Sequence, residues 1–340
     1  MKIIPQTLII ELTNFCNFNC LMCTVRRNNP SFMDKKLFLN ILDQIWNDDL
    51  NFDIFLPFFR GESLLHPQFR EFMEIFLKKN NQKKLIQSCG IDTNGSMLTE
   101  ESSDFILKND LFSFITFSCD AIKPETYSQI RKNGNIALLI ENIKYFIKKR
   151  KKLNKNYPTI TLQYIVMNEN IDEIDKFIYF WQRFFKENNI ELFLKYDYDK
   201  PEESMGKDAI FIRKINDFPG GKKQSEYDRI YKETIKKLFK TEVLTENKIE
   251  ICGGPFTHTV ISHNGLVFPC CFDTEDRLLI GDLRKEKLKN IISGEKLFEL
   301  RKQHAELRKN ENEICRDCPG QVFPVFDKKH CGFLKDYFNL

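Results

Sequence analysis

At 340 residues the chain is long enough to bury one large core and to carry a smaller second unit. Its formal charge of +4 is slight for that length, and the basic run Lys148 to Lys152 reads as a solvated helix end, so no nucleic-acid partner is indicated. No apolar stretch approaches the ~20 residues a membrane span needs, no small-residue cleavage site follows Lys2, and most of the eleven cysteines cluster in CxxC-like groups, which points to a reducing cytoplasm and metal binding.

The first β-type run, Thr7–Leu12, leads directly into the stretch Glu11 to Arg27, where Cys16, Cys20 and Cys23 form a C-x3-C-x2-C array. Three thiolates on one loop can hold three corners of a cubane iron–sulfur cluster and leave the fourth iron open for chemistry. The alternative is zinc on the Cys20/Cys23 pair, but a structural zinc normally takes four protein ligands, and no His or fourth Cys lies nearby in sequence.

From there to about Asp199, β-type runs alternate with helical patterns. Further strands are expected at Asp53–Phe58, Leu85–Asp92, Phe112–Ser118, Ile160–Met167 and Ile190–Tyr196. Helices are expected at Lys35–Asn47, Gln68–Asn80, Glu100–Asn109, Asn135–Leu153 and Asp172–Asn188. Ile136, Ile140, Ile143 and Ile147 mark a buried helical stripe. Six β-runs alternating with helices favour a parallel α/β sheet with right-handed crossovers, either doubly wound or a curved partial barrel. In both, the site lies at the C-terminal strand ends.

Motifs fall at those ends. After the second strand, Gly61 lets the backbone approach a ligand closely and Glu62 offers a carboxylate. Asp92-Thr93-Asn94-Gly95 is a turn after the third strand. Ser118 and Asp120 close the fourth, where Asp120 also suits a helix N-cap before Pro124, and Arg131 follows. Residues from Asp199 to about Glu250 read as a connecting region with one amphipathic helix near Ser225–Lys240.

From Ile251 the composition shifts. Thr259–Ser262 and Leu266–Phe268 flank His263-Asn264-Gly265, a hairpin signature that brings Cys252 and Cys270 together, with Cys271 adjoining. Helical stretches around Lys285–Ile292 and Lys296–Lys309 precede Cys315-Arg316-Asp317-Cys318. Four such cysteines suit either a structural zinc or an iron–sulfur cluster.

The triad spacing resembles the signature of the radical S-adenosylmethionine (SAM) enzymes, in which SAM occupies the open iron and is cleaved to methionine and a 5′-deoxyadenosyl radical. The resemblance implies a partial (β/α)6 barrel over residues 1–199, a connecting region over 200–250, and a cluster domain over 251–340. Phe59 to Pro67 is similar to the family's GGEP segment, with Arg60 and Ser63 departing from it, and implies that Gly61 and Glu62 hold the SAM amino group. By the same resemblance Ser118 and Asp120 meet the ribose, Arg131 the carboxylate, and Gln163, Asn168 and Met22 the adenine. The C-terminal cysteines resemble the SPASM/twitch extension. Pro324 and Lys328 stand where its last two cysteines are expected. The resemblance therefore implies one auxiliary [4Fe–4S] cluster on Cys252, Cys270, Cys315 and Cys318, with Cys271 an alternative to Cys270 and Cys331 a spare.

The expected function is a radical oxidoreductase: hydrogen abstraction from substrate, deprotonation by a base among Tyr196, Asp197 and Asp199, and electron transfer to the auxiliary cluster. A small polyol or aminosugar is the expected substrate, with a flavodoxin or ferredoxin as reductant. The alternatives are a maturase acting on a peptide side chain, a radical methyltransferase, and a non-enzymatic zinc scaffold.

Overall fold

The computed structural model describes residues 7–23, 25, 29–197, 206–215, 224–241, 251–316 and 318. Its frame is a run of parallel strands: β1 (Thr7–Ile10), β3 (Phe52–Leu56), β4 (Ile86–Thr93), β5 (Phe114–Ser118) and β7 (Thr159–Ile165). A short ladder joins β2 (Asn19–Cys20) to β6 (Arg131–Lys132). Helices α1 (Lys35–Asn47), α2 (Phe69–Gln82), α3 (Glu100–Lys108), α4 (Pro124–Ile130), α5 (Ile136–Lys152) and α6 (Ile174–Glu187) alternate with the strands. Asp34, Thr99 and Asn135 cap α1, α3 and α5 through their side chains, as short polar residues before an apolar-periodic run should. In α5, Ile136, Ile143 and Ile147 are buried and Ile140 partly so, which is the expected stripe.

β5 shows the expected alternation, and its pairing with β7 extends it. Ile115 and Phe117, like Ile160 and Leu162, are buried against the helices, while Thr116, Ser118, Thr161 and Gln163 face the other way. That second, polar face is the inside of the curved sheet.

Two features of the sheet go beyond the sequence expectation. The strand beside β7 is β9 (Ala209–Arg213), from the stretch expected to be a connector. The sixth expected strand, β8 (Phe193–Tyr196), lies outside it at the sheet edge. The reason is a buried ion pair. Arg150 of α5 donates from Nη1 to Asp208 Oδ1 at 2.9 Å and to Pro158 O at 2.6 Å, and Asp208 Oδ1 also accepts from Ile160 N at 2.7 Å. Asp208 thus fixes the start of β9 against the start of β7. The helix α7 (Gln224–Phe239) follows.

The second feature, which the sequence left open, is that the C-terminal unit continues the same sheet. After the short helix α8 (Gly254–Thr257), β10 (His258–Ile261) pairs in parallel with β1, so one ten-stranded sheet runs through both regions. The expected hairpin is present: β11 (Leu266–Phe268) pairs antiparallel with β10, and Gly265 has φ +86°, where a side chain is strained. The strand β12 (Gly281–Asp282) then closes this edge, and α9 (Leu288–Ile292), α10 (Glu295–Ala305) and α11 (Glu313–Arg316) follow.

Asp208→Ala leaves the Arg150 guanidinium buried and unpaired, and is expected to cost about 3–5 kcal/mol in denaturant unfolding. Adding Arg150→Met to that variant should recover part of the loss, because the stranded charge is then gone.

Candidate active site and metal centres

The cysteine triad follows the C-terminal end of β1 and is pinned from three sides. Leu21 N bonds Ile130 O at 2.8 Å, which joins the loop to the end of α4. Glu62 N bonds Phe15 O at 2.8 Å. A Cβ built on Gly61 would sit 2.3 Å from Thr13 O and 2.5 Å from Phe15 O, so only glycine lets the two loops meet. Asn94, in the turn after β4, donates from Nδ2 to Asn17 Oδ1 at 2.9 Å and lies 3.9 Å from Cys16 Sγ.

Glu62 is buried beneath this loop. Its carboxylate accepts from Leu64 N at 3.2 Å, Thr93 Oγ1 at 2.9 Å and Asn94 N at 2.8 Å. Burial pushes its pKa up, and these three bonds oppose the shift. It ties the second and third strand-end loops together while Gly61 lies against the triad.

Asp120 holds a left-handed backbone, φ +56°, which a short carboxylate side chain tolerates better than most. Its Oδ2 accepts from Arg131 Nε at 2.7 Å and from Arg131 Nη2, and its Oδ1 accepts from Ile165 N at 2.6 Å. Asn170 Nδ2 bonds the Asp120 carbonyl at 2.8 Å. Arg131 Nη1 in turn reaches Cys20 Sγ at 3.3 Å. Burial alone would lower the Arg131 pKa, but the Asp120 charge raises it on balance. Both side chains therefore have partners within the protein, and the pair holds the Arg131 guanidinium against the Cys20 sulfur.

Next to the triad lies the inner face of the sheet, where Asp92, Thr116, Ser118, Gln163 and Arg213 come together from four adjacent strands. Arg213 Nη1 donates to Gln163 Oε1 at 2.8 Å, and its Nε lies 3.5 Å from Asp197 Oδ1. Asp197 also accepts from Lys214 N, and its own N–H bonds Tyr231 Oη at 3.1 Å. Burial raises the pKa of both Asp92 and Asp197 despite the Arg213 charge. Tyr196 is directed away from this face, its ring packed 4.5 Å from that of Phe239 in α7, so the structure removes it as a base. Asp199 lies outside the described residues. Asn168 is bonded to Glu226 of α7, and Met22 packs with Ile130, Met167, Ile215 and Tyr227.

Arg60, which takes the place of a glycine, joins the barrel to the C-terminal hairpin. It donates to Glu11 from Nε at 2.7 Å and Nη2 at 2.9 Å, and from Nη1 to Asp276 Oδ1 at 2.7 Å. Glu11 Oε2 also accepts from His263 N at 3.1 Å and faces His263 Nδ1 at 2.7 Å. Burial by itself would raise the Glu11 pKa, but the His263 and Arg60 bonds outweigh it and hold it at about 2.

In the C-terminal unit, Cys252, Cys270, Cys315 and Cys318 line one cavity of about 470 Å³, its open mouth included. Cys271 does not line it. Its side chain packs against Ile9, Val260 and Phe268 as well as against the Cys270, Phe272, Leu278 and Ile314 cluster, so the cavity lining alone favours Cys270 as the fourth member. Burial raises Cys252, takes Cys270 well above its ordinary value and pushes Cys315 up to about 12, so thiolates there need a metal to compensate them. Among the described residues no three His, Cys, Asp or Glu side chains converge on a single metal ion; these four surround a space instead. His304 lines the same space as a neutral imidazole, its pKa lowered to about 4 chiefly by burial. An apolar cavity walled by four thiols fits an iron–sulfur cluster.

The model of the radical SAM superfamily matches residues 10–180, half of the chain. The chain belongs to the radical SAM superfamily. The SPASM model, an iron–sulfur cluster-binding domain, matches residues 252–319. This radical SAM enzyme accordingly takes SAM, a SAM-binding [4Fe–4S] cluster and auxiliary iron–sulfur binding in its C-terminal unit. It is 29% identical over 174 residues to the tungsten-containing aldehyde ferredoxin oxidoreductase cofactor-modifying protein of Pyrococcus furiosus, covering 49% of this chain and 45% of that one. It is 25% identical over 170 residues to a probable GTP 3′,8-cyclase of Methanocaldococcus jannaschii, covering 50% and 52%. The chain thus spans about half the length of these relatives. Among solved structures, anSMEcpe with bound AdoMet superposes with a TM-score of 0.63 at 18% identity, covering 98% of this chain and 96% of that one. BtrN in complex with AdoMet and 2-DOIA gives 0.53 at 14%, covering 94% of each. Streptococcus suis SuiB bound to its precursor peptide gives 0.60 at 15%, covering 95% and 71%. Among the described residues no helix is long and apolar enough to cross a membrane.

Sequence reasoning missed Glu11, Arg60, Asp92 and Arg213 as members of the site. The run Ala209 to Arg213 did carry a signal, since Ile and Phe alternate there as in a strand.

Gly61→Ala forces a methyl group into two backbone carbonyls and should destabilise the radical SAM enzyme by about 2 kcal/mol or more, with loss of iron from the triad site measured by metal analysis. Arg60→Met strands the buried Glu11 carboxylate and should cost about 3–5 kcal/mol in unfolding. The ionised Glu11 stabilises the fold fully above about pH 4.5, and that contribution is lost as pH falls from there toward 2. The stability gap between the parent enzyme and Glu11→Gln should therefore narrow over that window in pH-resolved denaturation.

Proposed function

We propose that the enzyme is a radical SAM oxidoreductase acting on a small polar substrate of the polyol or aminosugar class. The observation that carries this reading is the inner face of the sheet beside the triad, where Asp92, Thr116, Gln163, Arg213 and Asp197 offer charged and hydrogen-bonding groups of both signs. Cys16, Cys20 and Cys23 would hold the SAM-binding cluster, and Cys252, Cys270, Cys315 and Cys318 the auxiliary one. When bound, SAM and its cluster supply the 5′-deoxyadenosyl radical that takes hydrogen from substrate, and the auxiliary cluster supplies an electron acceptor.

The protein's own groups do the rest. Gly61 keeps the strand-end loop close enough for backbone contact with SAM, and Ser118, Gln163 and Met22 line the approach to its nucleoside. Arg131, fixed by Asp120, offsets negative charge at Cys20. Asp197 is the base: burial raises its pKa, which makes it a better proton acceptor, and it opens onto the inner face. The likeness to BtrN, whose structure holds 2-DOIA, supports a small substrate. The likeness to SuiB, bound to a precursor peptide, supports a second reading in which the substrate is a peptide side chain. A flavodoxin or ferredoxin is the proposed reductant, and a reducing cytoplasm the proposed compartment.

Anaerobic reconstitution should load about eight irons per chain. With SAM and dithionite the enzyme should then form 5′-deoxyadenosine, and Cys20→Ala should form none. Deuterium transfer from labelled polyols or aminosugars into 5′-deoxyadenosine would confirm the substrate class. Transfer only from peptides would replace it with the second reading, and an iron-loaded protein forming no 5′-deoxyadenosine would overturn both.

A further inference from the structure

The auxiliary cavity contains one buried polar side chain that the described protein does not satisfy. His304, in the last turn of α10, is 2% exposed and lines the cavity beside the four cysteines. Neither of its ring nitrogens has a hydrogen-bond partner among the described residues. His66, His258 and His263 all have one: their ring nitrogens face Met33 O at 3.0 Å, Thr257 Oγ1 at 2.8 Å and Glu11 Oε2 at 2.7 Å. Buried polar groups are rarely left orphaned, and one that is asks for an absent partner. Apart from the cysteines and Lys309, the surrounding wall is apolar, formed by Pro255, Phe272, Leu278 and Ile314. Among the described residues and what they hold, the remaining candidates for acceptor are the sulfurs of whatever the four thiols bind.

We propose that His304 donates a ring N–H hydrogen bond to a sulfur of the auxiliary iron–sulfur cluster and thereby raises that cluster's reduction potential. This rests on the assignment of Cys252, Cys270, Cys315 and Cys318 as its ligands. Four cysteines already occupy the four irons, so His304 acts on the cluster as a donor and not as a ligand. Reduction adds negative charge to the cluster, and a donor aimed at sulfur stabilises that charge. His304 is a positioning and tuning residue, not a catalytic one.

The test is a redox titration of the reconstituted full chain, followed by electron paramagnetic resonance, with the auxiliary signal taken as the one that SAM does not alter. His304→Phe removes the donor and keeps the cavity filled. It should retain about eight irons per chain while its auxiliary cluster becomes about tenfold harder to reduce, a shift of about 59 mV to more negative potential. The SAM-binding cluster in the same sample should not move. His304→Gln, which restores an N–H donor, should recover part of the shift. An unchanged auxiliary potential in a fully loaded His304→Phe protein would overturn the proposal. Should that variant fail to hold its cluster, the parent protein labelled with 15N-histidine decides. A weak nitrogen hyperfine coupling on the auxiliary signal supports donation, whereas no coupling, or one of ligand strength, refutes it. A parent protein that binds only about four irons would instead refute the auxiliary-cluster assignment itself.

Discussion

The carboxylate of Glu11 is buried where three parts of the molecule meet: the end of β1, the loop carrying Arg60, and the hairpin carrying His263. A buried charge is tolerable only with its partners in place, so each of these parts holds the others. The parallel pairing of β1 with β10 places Glu11 N on Ile261 O at 2.8 Å, and Asp276 completes the arginine's coordination from the segment beyond β11. The relation between the triad loop and the auxiliary cavity is therefore set by the sheet and by one ionic cluster, not by a hinge between two domains. Arg60 breaks the usual Gly-rich motif because in this chain that position carries the joint.

A second buried pair governs the triad itself. Asp120 accepts three hydrogen bonds from Arg131 and Ile165, and that leaves the guanidinium with one orientation, Nη1 on Cys20. The β2–β6 ladder does the same for the backbone. A loop that must present three sulfurs to one cluster has little tolerance for slack, and Gly61, Asn94 and Arg131 remove it from three directions.

The inner face beside the triad combines this rigidity with adaptable chemistry. Arg213 is shared between Gln163 and Asp197, and Asp92 and Asp197 lie near enough to feel its charge.

Much of this was legible in the sequence because it rests on local spacing. The triad, the six β-runs, the helix stripes, the His263-Asn264-Gly265 turn and the pairing of Cys252 with Cys270 each follow from periodicity or short-range geometry. What sequence could not decide was which distant groups neutralise one another. Ser118, Gln163 and Gly61 stand at strand ends as expected, whereas the Asp120–Arg131 pair, the packing of Tyr196 on Phe239 and the bond from Asn168 to Glu226 of α7 join groups distant in sequence. Arg213 was hidden in a five-residue strand whose place beside β7 depends on the Arg150–Asp208 pair. The sequence by itself determined the cofactor chemistry, because thiolate number and spacing are properties of a contiguous chain. Only the tertiary structure decided how the two metal regions are joined and which buried charges pair with one another, because buried charges choose their partners across the fold.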